Sequence, residues 1–188
     1  AGGQGIDTSL FKGTRGQFHL TKTAPNSWST QDTLGLEGID LLHDVERLQF
    51  ADKKLALDLS PGDHAGQSLE VLGVLAPAAI SNPMIVGLIL CLFDQGSSLH
   101  DVFQLAIDVH LVSQLAGSGS NTDLARLAFR NIVGAEAEAT TLDILVSFMD
   151  GRSASYSQSD FLTVVAGMEV NQTHIDLIGW QQTGIEYV

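Results

Sequence analysis

The sequence predicts an α+β fold, with a small antiparallel β-segment over residues 1–60 and an all-α bundle of about seven helices over residues 61–188. Two observations predict this fold. Before Asp63, apolar residues alternate along short segments, as they do in strands; after Asp63, they recur at the spacing of helices. The composition agrees, because 44% hydrophobic residues in a chain of 188 can build a buried core.

Short segments with the alternating pattern of strands lie at residues 9–11, 17–21, 45–50 and 54–58. Phe18 and Leu20 would share one face of their strand, and Leu48 and Phe50 one face of theirs. The segment Ala51-Asp52-Lys53 separates the last two strands and is predicted to form a tight hairpin turn.

Capping residues mark the helix starts. They lie at His64, Asn82-Pro83, Ser97 or Ser98, Asn121-Thr122-Asp123, Thr140 or Thr141, Ser157 or Ser159, and Asn171-Gln172-Thr173, the last helix running toward the C-terminus. The apolar stripes of three helices are predicted to be Leu69, Leu72 and Leu75; Val102, Leu105, Ala106 and Val109; and Leu124, Leu127, Ala128 and Ile132. Residues 92–103 resemble residues 148–161, which indicates a repeated helix-turn-helix pair.

Charge and cysteine content restrict the class of protein. The net charge of -13 argues against a nucleic-acid surface, which needs clustered Lys and Arg. The single Cys91 cannot form an internal disulfide, and its apolar run at residues 84–93 predicts a buried thiol. Scarcity of cysteine is typical of proteins exported without disulfide chemistry, although cytosolic proteins share it. No signal sequence is visible, and the longest apolar run is too short to span a bilayer.

The first residues carry a metal-binding pattern, because Gly2-Gly3-Gln4-Gly5-Ile6-Asp7 reads G-G-x-G-x-D. Asp7 is the candidate calcium ligand, with the carbonyls of Gly3 and Gly5 beside it. The alternative is an unoccupied, frayed terminus. The chain opens within what looks like a repeat, so we expect a C-terminal fragment of a longer protein. Four further aspartates could form a second acidic site or serve as turn residues, namely Asp32, Asp40, Asp44 and Asp52.

Residues 13–21 and 38–58, with the string V-E-R-L-Q-F-A-D at 45–52, resemble the β-segment that follows the calcium repeats of secreted bacterial RTX (haemolysin-type) proteins. Residues 64–188 resemble the all-helical DUF4214 domain. Typical members carry an Arg-x-Pro-Asp turn and a Gly-Leu-x-Tyr/Phe-Trp helix start. The corresponding positions here differ, at residues 76–79, 84–88, 135–138 and 141–144. The helical part is therefore a divergent relative, and no ligand site built from the missing residues is carried over.

The resemblance implies an extracellular protein exported by a type I secretion apparatus, whose signal is C-terminal and uncleaved. It also implies a chain that folds when it meets calcium outside the cell. We therefore expect a non-catalytic C-terminal module that supports calcium-linked folding, export and surface or matrix attachment (adhesion). The acidic and aliphatic C-terminal residues would carry the export signal.

Two other functions remain open. A glycan- or protein-binding module would use Trp28, Trp180 or Tyr187 as stacking platforms, although Trp180 is expected in the core and Trp28 half-buried on a sheet edge. A hydrolase or autoprocessing domain would need a poised nucleophile. The chain has no G-x-S-x-G or H-E-x-x-H motif, and residues 117–120 read as a linker between helices, so we expect no enzyme and assign no catalytic residue.

Overall fold

A computed structural model describes residues 2–35, 37–150 and 156–188 and confirms the α+β fold. The strands are β1 (Thr8–Leu10), β2 (Phe18–Ala24), β3 (Ser27–Asp32), β4 (Ile39–His43), β5 (Arg47–Gln49), β6 (Lys54–Ala56) and β7 (Ile185–Tyr187). The helices are α1 (His64–Leu75), α2 (Pro83–Asp94), α3 (Leu99–Asp108), α4 (Leu111–Ala116), α5 (Asn121–Val133), α6 (Ala139–Asp150), α7 (Gln158–Ala166), α8 (Glu169–His174) and α9 (Leu177–Thr183). Short 3₁₀ turns lie at Arg15–Gln17 and Pro77–Ser81.

The described strands form two sheets. One is the antiparallel sheet β2-β3-β4, and the other has the order β1-β5-β6-β7. The second sheet is mixed, because β1 runs parallel to β5 while β5, β6 and β7 pair antiparallel. The predicted hairpin turn between β5 and β6 is confirmed, with the Phe50 N–H donating to the Lys53 carbonyl at 2.8 Å.

The C-terminal prediction was wrong, since the single last helix is replaced by α8, α9 and strand β7. Asp176 separates the two helices with a φ of 51° and caps α9 by accepting from the Gly179 N–H. Strand β7 then pairs with β6, and the Val188 N–H donates to the Pro83 carbonyl at 3.2 Å. The chain therefore returns from the helical part to the sheet that contains its first strand.

The helix stripes are largely confirmed. Every member of the α1 and α5 stripes is buried. In α3, however, Val102 and Ala106 are buried while Leu105 and Val109 are exposed. The described residues contain nine α-helices rather than about seven, and α4 was missed because His110 breaks the apolar run with a left-handed φ of 61°. The predicted repeat falls on matched capping boxes, Ser98 with Asp101 at α3 and Ser157 with Asp160 at α7.

The predicted half-burial of Trp28 at a sheet edge was wrong. Trp28 lies in the middle strand β3, where strands on both sides leave it 2% exposed. It belongs to the core of the β part, which is completed by three mutually packed rings, Phe11, Phe18 and Phe50, with centroids 4.9–5.3 Å apart.

The predicted burial of Cys91 was also wrong, because its thiol is exposed. The helix α2 is apolar on every side, so its sequence does not show which face packs. Val86, Leu90 and Phe93 face the core, and the opposite face carries Cys91 with other exposed residues, including Met84 and Leu88. Within the described part of the chain, no helix is both long and apolar enough to cross a bilayer.

Candidate functional site

The glycine-rich residues 2–7 form a tight turn that leads into β1. The Gly3 N–H donates to Asp7 Oδ2 at 2.6 Å, and Gly5 has a φ of 100°, which glycine adopts readily. The turn is attached at both ends, to the last residue of β4 and to the residue before β5. Gly2 donates to the His43 carbonyl at 2.7 Å, and the Asp7 N–H donates to Glu46 Oε2 at 2.8 Å.

Gly3, Gly5 and Asp7, the residues that the sequence suggests as calcium ligands, lie in this one turn, where the Asp7 carboxylate accepts from the Gly3 N–H. A calcium ion takes about six to eight oxygen ligands. Asp7 has one carboxylate to offer to such a shell, and no group of three or more acidic, His or Cys side chains within the described ranges is arranged to hold a metal. Other oxygens of a calcium shell would therefore have to come from backbone carbonyls, from water or from polypeptide outside the described residues.

The second predicted acidic site does not form, because its aspartates serve separate turns. Asp32 accepts from the N–H groups of Leu34 and Glu37 in the β3–β4 connection. Asp52 accepts from the Arg15 N–H at 2.7 Å, and Asp44 adopts a left-handed φ of 51°. Asp40 lies exposed on β4.

The side chain of Arg47 lies at the centre of a buried ionic cluster that joins the mixed sheet to helices α1 and α2. Its side chain is 2% exposed and bonds through Nη1 to the Asp58 carboxylate. Nη2 donates to Asp94 Oδ1 at 2.8 Å, and the same oxygen lies 2.8 Å from His64 Nδ1. The Tyr187 ring lies 5.8 Å from the guanidinium carbon. Five separate parts of the chain meet here: β5, Asp58 just after β6, α1, α2 and β7.

This Arg47 cluster has one guanidinium for two carboxylates. Burial raises the pKa of Asp58 to about 6, and the Arg47 charge only partly opposes that effect. Burial also raises the pKa of Tyr187. Arg47 Nε is buried without a partner, so the hydrogen bonding of the guanidinium is incomplete. The arrangement is suited to fixing five chain segments in one geometry, and it offers no free nucleophile or base.

A cleft of about 250 Å³ opens beside the Arg47 cluster. Its acidic lining residues are Asp44, Glu46, Asp58 and Asp63. Of these, Asp58 is bound to Arg47, and Glu46 accepts from Asp7. Asp63 accepts from the Ser60 N–H at 3.2 Å. These carboxylates therefore stabilise the turns around the cleft.

Ser159 and His100 resemble a nucleophile and its base, with 3.0 Å between Oγ and Nε2. The donor relations are the reverse of those in a catalytic pair. Asp108 accepts from Gln104 Nε2 at 2.8 Å, so the Gln104 carbonyl faces Ser159 and accepts its hydroxyl hydrogen at 2.9 Å. Because the hydroxyl hydrogen of Ser159 goes to Gln104, His100 Nε2 does not accept it in this arrangement. Ser159 is also only 1% exposed, so this pair does not support hydrolysis.

The three aromatic candidates for glycan stacking are occupied within the chain. Trp28 is buried and has Lys22 Nζ 5.6 Å from its ring centroid. Tyr187 is half-buried, with Lys54 Nζ 5.7 Å from its ring. Trp180 packs partly buried against the core, as predicted, and its Nε1–H donates to the Ile175 carbonyl.

Sequence reasoning placed Arg47 and Asp58 in a motif but gave neither of them a role. The local sequence gave little signal, because Arg47 stands between Glu46 and Leu48 and its partner Asp94 lies 47 positions away. No family model matches the chain, and the comparisons with curated proteins and with solved structures gave no match either.

Proposed function

We propose that this chain is a non-catalytic C-terminal module of a type I-secreted RTX-type protein. In that role it ends an array of calcium repeats and supports calcium-linked folding, export and surface or matrix attachment. The observation that carries the proposal is the parallel pairing of β1 with β5 directly after the glycine-rich turn. A chain that ends a repeat array needs such an edge, because it must join the array to a closed core.

The lengths of the connections support this interpretation. Parallel neighbours need a long crossover between them, and here 36 residues separate Leu10 from Arg47 and form the β2-β3-β4 sheet. The glycine-rich turn is therefore packed against a sheet that continues through β6 to the C-terminal strand β7. Binding that orders the turn would stabilise this whole sheet.

The charge of the chain supports the dependence on cations. At a net charge of -13, the carboxylates of the chain repel one another, and divalent cations reduce that repulsion. In the proposal, Asp7 and the carbonyls of Gly3 and Gly5 supply part of a calcium shell. The remaining oxygens come from water or from the polypeptide that precedes the turn.

Thermal unfolding with and without calcium tests the proposal. For a dissociation constant on the order of 1 mM, a tenfold excess of free calcium would stabilise the chain by about 1.4 kcal/mol. For a chain of this size the midpoint would rise by about 3–6 °C. Asp7→Asn should remove the rise, because it removes the charged ligand but keeps an oxygen for the Gly3 N–H.

The matched control is Asp143→Asn, which removes an exposed carboxylate on α6, outside the turn. The control variant should keep the full calcium response. An equal response of all three proteins would show that calcium acts through general charge screening and would contradict a specific role for Asp7. No response in any of them would remove calcium from the function of this chain.

A further inference from the structure

On the outer edge of β4, the backbone groups of Ile39 and Leu41 have no hydrogen-bond partner among the described residues. The Asp44 N–H donates to the Asn26 carbonyl, and the Asp32 N–H donates to the Gly38 carbonyl. Antiparallel pairing alternates, so the even-numbered residues of β4 direct their backbone groups toward β3. The N–H and C=O groups of Ile39, Leu41 and His43 therefore point away from the sheet.

This edge is also apolar. Ile39 is 64% exposed and Leu41 is 65% exposed, on the same face of β4. A strand edge that combines open backbone groups with exposed apolar side chains is a template for another strand, and natural proteins usually cover such an edge. The β4 edge thus has the features of a strand-docking surface.

One hydrogen bond on this edge is already made by the chain itself. The Gly2 N–H donates to the outward carbonyl of His43 at 2.7 Å. The backbones approach so closely that a Cβ on Gly2 would lie 1.5 Å from the Asp44 carbonyl oxygen, so only glycine fits. The edge therefore has an occupant at its C-terminal end.

The direction of that occupant follows from its next contacts. The Arg47 N–H donates to the Asp7 carbonyl at 3.0 Å, and Thr8 pairs with Arg47 in the parallel register. Residues 2–10 therefore run in the same direction as residues 43–49. Extended polypeptide entering Gly2 from this direction would run parallel to β4, alongside Leu41 and then Ile39.

We propose that the β4 edge is the docking site for the polypeptide segment that immediately precedes Gly2. This segment adds to the β2-β3-β4 sheet as a parallel fourth strand and covers Ile39 and Leu41. It carries apolar or β-branched side chains at alternate positions, because only one of its faces lies beside Ile39 and Leu41. The inference rests on the proposed function, in which this chain follows other repeats of a longer protein.

Hydrogen exchange on two N-terminally extended forms of the whole chain tests the inference. One form carries Thr-Val-Thr-Val-Thr before Ala1, and the matched control carries Gly-Ser-Gly-Ser-Gly. The first extension should slow exchange of the Ile39 and Leu41 amides by about tenfold relative to the control. The amides of Asp40 and Leu42 face β3 and should exchange equally in both forms. Equal exchange at Ile39 and Leu41 would overturn the proposal.

A proline substitution provides a second measurement. Leu41→Pro removes an N–H that points away from β3, so the unextended variant should keep the fold. In the Thr-Val form it should abolish the added protection of Ile39. If Ile39 and Leu41 of the unextended chain were protected from exchange more strongly at higher protein concentration, the β4 edge would bind a second copy of this chain, and the proposal would be overturned. The exchange experiment contains no calcium. Equal exchange at Ile39 would therefore leave the predicted calcium response of Asp7 untouched, and the absence of a calcium response would leave the exchange result untouched.

Discussion

Replacing Arg47 by methionine tests whether the buried ionic cluster holds the mixed sheet and helices α1 and α2 together. Methionine keeps much of the aliphatic volume but removes the cation, so it leaves the Asp58 carboxylate, which is 9% exposed, without its partner. Asp94 loses the same cation at 2.8 Å. Removing one member of a buried ion pair costs about 3–5 kcal/mol, because the remaining charge is buried and uncompensated.

The expected change in the melting midpoint follows from the size of the chain. A protein of this length loses about 2–4 °C per kcal/mol, so Arg47→Met should lower the midpoint by about 6–20 °C. Thermal unfolding followed by circular dichroism measures it, and urea titration should give the same order of variants. The double variant Arg47→Met with Asp58→Asn should be more stable than Arg47→Met alone, because it removes the stranded carboxylate.

The matched control is Lys53→Met, which breaks the ion pair between Lys53 and Glu186 at 2.7 Å. That pair also joins the β5–β6 turn to β7, but both side chains are exposed, and exposed pairs contribute little to stability. The Lys53 variant should therefore melt close to the parent chain. If Arg47→Met and Lys53→Met melted at the same temperature, the reasoning about the Arg47 cluster would be refuted.

Two further predictions concern pH and the glycine-rich turn. The pKa of Asp58 is about 6 in the folded chain, above its value of about 3.9 in an unfolded chain. The folded state therefore favours the protonated carboxyl. Its contribution to stability is fully present below about pH 4 and is lost as the pH rises through 6. Over that range the parent should lose about 3 kcal/mol relative to Asp58→Asn, measured by urea titration at each pH; parallel pH profiles would contradict this. Gly2→Ala should lower the stability by about 1–3 kcal/mol, because its Cβ would collide with the Asp44 carbonyl oxygen. Gly3→Ala has nothing within 4 Å and should melt near the parent, so equal effects of the two substitutions would argue against the attachment of the turn.

The features that the sequence predicted correctly are those whose signal lies within a few residues. The capping serines Ser98 and Ser157 each face an aspartate three positions later, and both caps form. The stripe Leu124, Leu127, Ala128 and Ile132 is buried, and the helical spacing of these four residues is visible within α5 itself. The glycine-rich turn has a local signal as well, since Gly3 donates to Asp7 within it, but its attachment to His43, Glu46 and Arg47 has none.

The features that the sequence missed depend on partners far along the chain. Arg47 and Asp94 are separated by 47 positions, and strand β7 pairs with β6 across nearly the whole helical part. The burial of Trp28 depends on a neighbouring strand on each side of β3, which its own polar segment does not indicate. Cys91 was misplaced for another reason, since an all-apolar helix gives no sign of which face will pack.

The glycine-rich turn and the Arg47 cluster are linked through two adjacent residues of the chain. Glu46 accepts from the Asp7 N–H through its side chain, and Arg47 donates its own N–H to the Asp7 carbonyl. The guanidinium of the same Arg47 then reaches Asp58 and Asp94. The backbone of Asp7 is thus held on both sides, by Glu46 and by Arg47, and the guanidinium of Arg47 reaches α2 through Asp94. A change that orders or releases the turn therefore acts on the strand that carries the buried charge. Among the described residues, no helix forms a hydrogen bond with the turn. We nevertheless expect the stability of the turn and that of the helical part to be coupled, through Arg47.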